Sequence, residues 1–173
     1  MAREVVRWGA LSSLVAAHMM DAYRLPLDRI RLTRNGIDLE RFHPRNRALY
    51  RASLRQEGKA AEDEVVGLFV AYQPRLKGLG LVLEAMAAEP AARRWKLWVV
   101  AGRDHDYFLA RARRLGVSDR LQWLDTFPRL EEIYAAADFL VHPTFYDSCS
   151  LVVLEALASG LPVISTSHNG ATE

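Results

Sequence analysis

An α/β fold built on a parallel sheet with helices on both faces is what this sequence of 173 residues predicts, and three observations carry it. From residue 65 onward, short apolar runs alternate with helical patterns. Strands separated in this way pair in parallel, because a right-handed crossover returns each one to the same sheet. The loops after the apolar runs, 72–78, 102–105, 125–128 and 142–150, collect the charged and small polar residues, and ligands bind such sheets just outside the carboxyl ends of the strands. The composition, 50% hydrophobic and 25% charged, is that of an ordinary globular chain with enough apolar material for one core.

Residues 3–23 read as one helix, since Val6, Ala10, Leu14 and Ala17, with Leu11, Val15 and Met19, recur at the spacing of a buried face. Pro26 ends it. A short strand at 30–33 closes on the turn Asn35-Gly36, residues 38–44 form an irregular link, and 46–57 read as a polar helix. A join around 57–64 then separates a first unit, 1–57, from a second, 58–173. In the second unit the expected order is strand 65–71, helix 79–88, strand 96–101, helix 106–115, strand 121–124, helix 129–137, strand 139–142, helix 150–159 and strand 163–165. No internal repeat or low-complexity tract interrupts it.

The formal net charge is +2, but residues 1–59 carry 12 Lys/Arg against 6 Asp/Glu, and residues 60–173 carry 11 against 15. The basic front fits peripheral contact with a membrane surface, although solvated helix faces explain it more simply. No nucleic-acid partner is expected. The single cysteine, Cys149, excludes an internal disulfide and fits a reducing compartment, and no apolar run is long enough for a bilayer span or a signal-peptide core, so a cytoplasmic protein is expected.

The densest chemistry lies between His142 and Ile164, where a strand end, a polar loop, a helix and the next strand follow in quick succession. Asp147 and Glu155 bracket the helix start. The backbone N–H groups of a helix N-terminus lack intrahelical partners and favour an anion, so the amides of Ser148, Cys149, Ser150 and Leu151 could take a diphosphate while the two carboxylates accept from sugar hydroxyls. One segment could thus read both halves of a nucleotide sugar. Cys149, with His142 seven residues earlier, also raises a thiol nucleophile, but no Gly-x-Ser-x-Gly elbow or third orienting group accompanies it. Asp104-His105-Asp106 has the spacing of a metal-binding Asp-x-Asp pair, a pattern short enough to arise by chance, and no metal site is expected.

With these residues in view, the chain resembles the retaining glycosyltransferases with two Rossmann-like domains, the GT-B architecture of family 4 (group 1). Their donor segment reads Glu-Gly-Phe-Gly-Leu, a hydrophobic run ending in Glu, then Ala-(Met/Leu)-Ala-x-Gly-x-Pro-Val; Asp147 falls on the first Glu and Glu155 on the second, eight residues apart as in the family. Arg34-Asn35-Gly36-Ile37-Asp38 through Phe42-His43-Pro44, and Leu76-Lys77-Gly78-Leu79, resemble two further family segments in the right order. Departures are Asp147 in place of Glu, Ser148-Cys149-Ser150 in place of the glycines, and Ala71-Tyr72-Gln73 where the family commonly has Gly-Arg-Leu. Arg75 is the substitute for that missing arginine.

The resemblance implies the C-terminal, donor-binding half of such an enzyme, with the first unit supplying the last helix of an N-terminal acceptor domain, the interdomain segment and the start of the second domain. The chain is then expected to be a fragment, inactive alone, truncated also after Ser167-His168-Asn169-Gly170-Ala171-Thr172-Glu173. The donor would be a nucleoside-diphosphate sugar, UDP-glucose by default, used without a cofactor. The acceptor would be a saccharide or lipid-linked hydroxyl in cell-envelope polysaccharide or lipopolysaccharide-type synthesis. Lys77, Arg75 and Asp147 would act on the diphosphate and the sugar, Glu155 on the ribose, and Arg103 or His105, with Phe127 beside Asp125 and Thr126, near the base. Two alternatives stay open: a nucleotide-sugar-binding remnant that transfers nothing, and a sugar-nucleotide epimerase of the same architecture.

Overall fold

The computed structural model describes residues 6–89, 95–124 and 129–173, which form two parallel sheets. The first is a pair, β1 (Trp8–Ala10) beside β2 (Ile30–Leu32), joined by α1 (Ser13–Tyr23). After α2 (Asn46–Glu57) the chain enters β3 (Val66–Ala71), α3 (Leu79–Ala88), β4 (Lys96–Ala101), α4 (His105–Arg114), β5 (Leu121–Leu124), α5 (Leu130–Ala136), β6 (Phe139–His142), α6 (Leu151–Ala158) and β7 (Val163–Ser165). Each lies within a residue of its expected place.

Strand order in the second sheet is β5-β4-β3-β6-β7, all parallel. The chain winds outward from β3 to β5, then returns past β3 to continue on its other side. Successive strand residues face opposite sides of a sheet. Leu68, Val70, Trp98, Val100 and Leu140 therefore enter one core layer with Leu54, Tyr134 and Val153, while Phe69, Leu97, Val99 and Val141 enter the other with Leu79, Leu83, Met86 and Phe108. So α2, α5 and α6 cover one face, and α3 and α4 the other. The reversal of winding direction leaves a crevice between the carboxyl ends of β3 and β6, the place where doubly wound sheets bind ligands.

At the opposite, amino-terminal edge of the strands, Arg47, Arg51 and Arg55 of α2 converge on Asp138, which also accepts the Val66 N–H at 2.9 Å. Burial pushes the Asp138 carboxyl up, but the Val66 N–H and the arginines outweigh it and hold it below its usual range. This clamp ties α2 to the five-stranded sheet.

One expected element is corrected. The single helix over 3–23 is, among the described residues, a strand at Trp8–Ala10 followed by a helix from Ser13. Ser12 caps that helix, its hydroxyl accepting from Val15 N at 3.2 Å, and the preceding residues pair with β2 instead. Val6 and Ala10 fit a helical spacing only by coincidence, and the buried residue of α1 is Ala16, not Ala17. Short 3-10 turns at Leu27–Arg29, Ser118–Arg120 and Gly170–Thr172 carried no periodic signal. Among the described residues, no helix is long and apolar enough to cross a membrane.

Candidate functional site

Two loops meet in the crevice. The β3–α3 loop winds tightly, with Lys77 N bonded to Gln73 O at 3.1 Å and Leu79 N to Pro74 O at 3.0 Å. The loop after β6 crosses it: Phe145 N donates to Leu76 O at 3.0 Å, and the Pro143 carbonyl lies where a side chain on residue 78 would stand. Gly78, with φ of 83°, is therefore the residue that lets the loops interlock. This contact places Lys77 over the second loop, where its Nζ lies 2.6 Å from Asp147 Oδ2 and donates to Tyr146 O at 3.2 Å.

Asp147 is fixed from all sides. Its N–H donates to His168 O and its carbonyl accepts from Gly170 N, both at 2.9 Å. Oδ1 accepts from Cys149 N at 3.2 Å, and Oδ2 lies 3.8 Å from Nε2 of the buried His142. Burial raises its carboxyl pKa, but His142, Lys77 and the Cys149 N–H more than offset this, leaving it at about 2 against an ordinary 3.8. The group is thus an anion at any physiological pH.

The following residues are held by segments far away in sequence. Ser12 Oγ donates to Ser148 O at 2.6 Å and Asn35 Nδ2 donates to Cys149 O at 3.1 Å, so the first unit is bonded to the site loop. His18 of α1 stacks on Tyr146. The Cys149 amide is taken by Asp147 Oδ1 at 3.2 Å and the Ser150 amide by Asn169 Oδ1 at 3.3 Å, which leaves the amide of the exposed Leu151, first residue of α6, better placed than these two of the expected amides. Cys149 is buried. The ring of His142 meets Ser150 Oγ at 3.4 Å through the same Nε2 that faces Asp147, and a nucleophile-base-orienter relay needs two different ring nitrogens. The thiol-nucleophile reading finds no support in this geometry.

Glu155, the fifth residue of α6 and eight positions after Asp147, has a partner that sequence did not reveal. Tyr134 OH donates to Glu155 Oε2 at 2.9 Å. Tyr134 is fully buried, and burial together with the neighbouring Glu155 pushes its hydroxyl well above the usual tyrosine range, so it stays a proton donor. A tyrosine inside an apolar helical run gives no sign of such a contact. Asn169 is equally hidden in sequence: its side-chain Oδ1 accepts from both Ser150 N and Ala171 N.

Arg75 is not brought to Lys77 and Asp147. Its guanidinium pairs with Asp104 at 3.1 Å and stacks 4.0 Å from the Tyr107 ring centroid, against α4. Asp104 is thereby committed to Arg75, while Asp106 pairs with His105. Arg103 instead lies over Tyr72, 4.6 Å from the ring centroid, with Nη2 donating to the tyrosine hydroxyl at 3.1 Å. Phe127, Asp125 and Thr126 lie outside the described residues.

The sequence pattern of the family described as "Glycosyl transferases group 1" matches residues 64–173. A D-inositol 3-phosphate glycosyltransferase of Segniliparus rotundus is 33% identical over 95% of the chain, which covers 37% of that protein. The lipopolysaccharide glucosyltransferase WaaG of Escherichia coli K12 is 31% identical over 86% of the chain, covering 40% of the relative. A crystal structure of WaaG superposes with a TM-score of 0.83 at 29% identity, over 94% of this chain and 45% of that one. Anabaena Alr3699/HepE in complex with UDP-glucose superposes at 0.80 over 96% of this chain and 46% of that one, and at 22% identity this likeness speaks for the fold. The chain therefore spans less than half the length of these relatives.

Proposed function

The chain belongs to the group 1 glycosyltransferases, with the GT-B type of α/β domain, and on that premise we propose that it is the donor-binding part of a retaining hexosyltransferase. The observation that carries this reading is the Lys77–Asp147 contact of 2.6 Å at the β3/β6 crevice, where interlocked loops set a cation and a carboxylate side by side. A nucleotide sugar offers the matching pair of groups, phosphate oxygens and sugar hydroxyls.

In the reaction, the bond between the anomeric carbon and the donor phosphate oxygen breaks, and its electron pair leaves with the nucleoside diphosphate. The acceptor hydroxyl oxygen forms the new bond on the same face, and its proton passes to the departing phosphate. Lys77 stabilises the charge that develops on that phosphate, with the Leu151 amide at the start of α6. Asp147 accepts from hydroxyls of the sugar, and Glu155, oriented by Tyr134, from those of the ribose. Arg75 would have to leave Asp104 to reach the same phosphates. No metal is required by this arrangement, since the fixed cation and the Leu151 amide do the neutralising.

UDP-glucose is the preferred donor, in keeping with the glucosyltransferase name of one relative, and the acceptor is a saccharide or lipid-linked hydroxyl of a cell-envelope polysaccharide. Action on the cytoplasmic side, peripheral to the membrane, goes with this chemistry. The family assignment sets the epimerase alternative aside. A chain that binds nucleotide sugar and transfers nothing is the second reading, and an assay of sugar transfer beside one of donor binding separates the two.

Calorimetry with UDP tests the donor site. Lys77→Ala removes a charge-assisted phosphate contact worth roughly 1.5–3 kcal/mol, so affinity falls at least tenfold. Unchanged UDP affinity in that variant would overturn the assignment.

A further inference from the structure

The C-terminal rim carries a second basic group, one strand away from Lys77 on the other side of β3. Ala71 and Ala101 are register partners at the ends of β3 and β4, so Tyr72 and Gly102 leave the sheet side by side. A Cβ on residue 102 would stand 3.4 Å from the Tyr72 ring, at van der Waals contact, so the ring lies beside the end of β4. Arg103 then folds back on that ring and donates to its hydroxyl.

Both residues are exposed, Tyr72 at 69%, and a free arginine at a surface loses rotamer entropy when it is held in place. Here a stack and a hydrogen bond hold it. One Nη2–H is spent on the tyrosine hydroxyl, and the planar fork keeps further donors for oxygen anions. The contrast with Arg75 is one of charge. Arg75 has its guanidinium matched by the Asp104 carboxylate, whereas among the described residues the contacts of Arg103 are with the uncharged Tyr72. Neighbouring strands lie about 4.8 Å apart, so the ends of β4 and β6 are separated by roughly 10 Å, a span that a nucleoside diphosphate bridges.

We propose that Arg103, carried on the Tyr72 ring, is the arginine that contacts the diphosphate of the donor, in place of Arg75. Tyr72 acts as a positioning residue: it supplies the platform, and Arg103 supplies the charge. This rests on the donor-binding reading above, with Lys77 on the β6 side of the same diphosphate and Arg103 on its β4 side.

The test is titration of the full chain with UDP, GDP and uridine, because a phosphate contact affects both diphosphates and spares the nucleoside. Arg103→Ala is expected to weaken UDP and GDP by tenfold or more and leave uridine unchanged. Tyr72→Ala reproduces most of that loss, while Tyr72→Phe, which keeps the platform, loses less than threefold. Arg103→Lys recovers only part of the affinity, since a lysine cannot stack as a plane. Both side chains are on the surface, and a circular dichroism spectrum like that of the parent chain confirms the fold. Unchanged UDP affinity in Arg103→Ala, or an equal loss for uridine, overturns the proposal. If Lys77→Ala loses UDP binding while the Tyr72 and Arg103 variants keep it, the donor site stands and this inference alone fails. Failure of the parent chain to bind either diphosphate overturns both.

Discussion

Lys77 and Asp147 share a contact of 2.6 Å, and each therefore competes with the ligand groups the other would bind. With its pKa at about 2, Asp147 keeps its charge across the physiological range, so the pairing does not switch with pH between 5 and 8. A fixed carboxylate close to an incoming diphosphate is repulsive, and it is tolerable only if it returns the cost through sugar hydroxyls. Asp147→Asn is accordingly expected to leave UDP affinity equal or higher while lowering UDP-sugar affinity several-fold, read by competitive titration of the two. Equal losses for both ligands would remove Asp147 from the sugar site. At this scale the sequence singled out Lys77 and Asp147, and the structure brings the two side chains together. It was silent where the use depends on a neighbour: nothing in the sequence placed Asp104 against Arg75, Tyr72 under Arg103, or Tyr134 against Glu155.

The elements beyond residue 65 were legible because each is either a short apolar run or a helix with flanking turn residues, and the core confirms both patterns. Within the first unit β2 and α2 lie where expected, but the stretch before Ser13 was misread because β1 is three residues long and the helix cap, Ser12, sits in the middle of an apparently continuous helical spacing. Length decides such cases, and three residues are too few to show alternation. Gly78 is the point where two elements depend on one residue. Its positive φ and the Pro143 carbonyl against it mean that Gly78→Ala forces both backbone strain and a displaced loop. The expected cost is about 3 kcal/mol, with loss of UDP binding, measured by urea denaturation and calorimetry on the same sample. Parent-like stability and affinity would show that the loops do not interlock through this glycine.

On the scale of the whole molecule, the strand order β5-β4-β3-β6-β7 explains why residues 70 positions apart, Lys77 and Asp147, meet at all. The reversal at β3 opens the crevice, the Asp138 clamp holds the opposite edge, and the first unit braces the site loop through Ser12 and Asn35. The sequence supplied the strands and helices but not their order, because order is set by which faces can be covered, a property of the packed chain. The most direct check on the donor site is a crystal structure of this chain with UDP. The account predicts the diphosphate between Lys77 Nζ and the Leu151 amide at the start of α6, with the ribose hydroxyls on Glu155. UDP bound away from the β3/β6 crevice, with Lys77 still paired to Asp147 and making no phosphate contact, would contradict it.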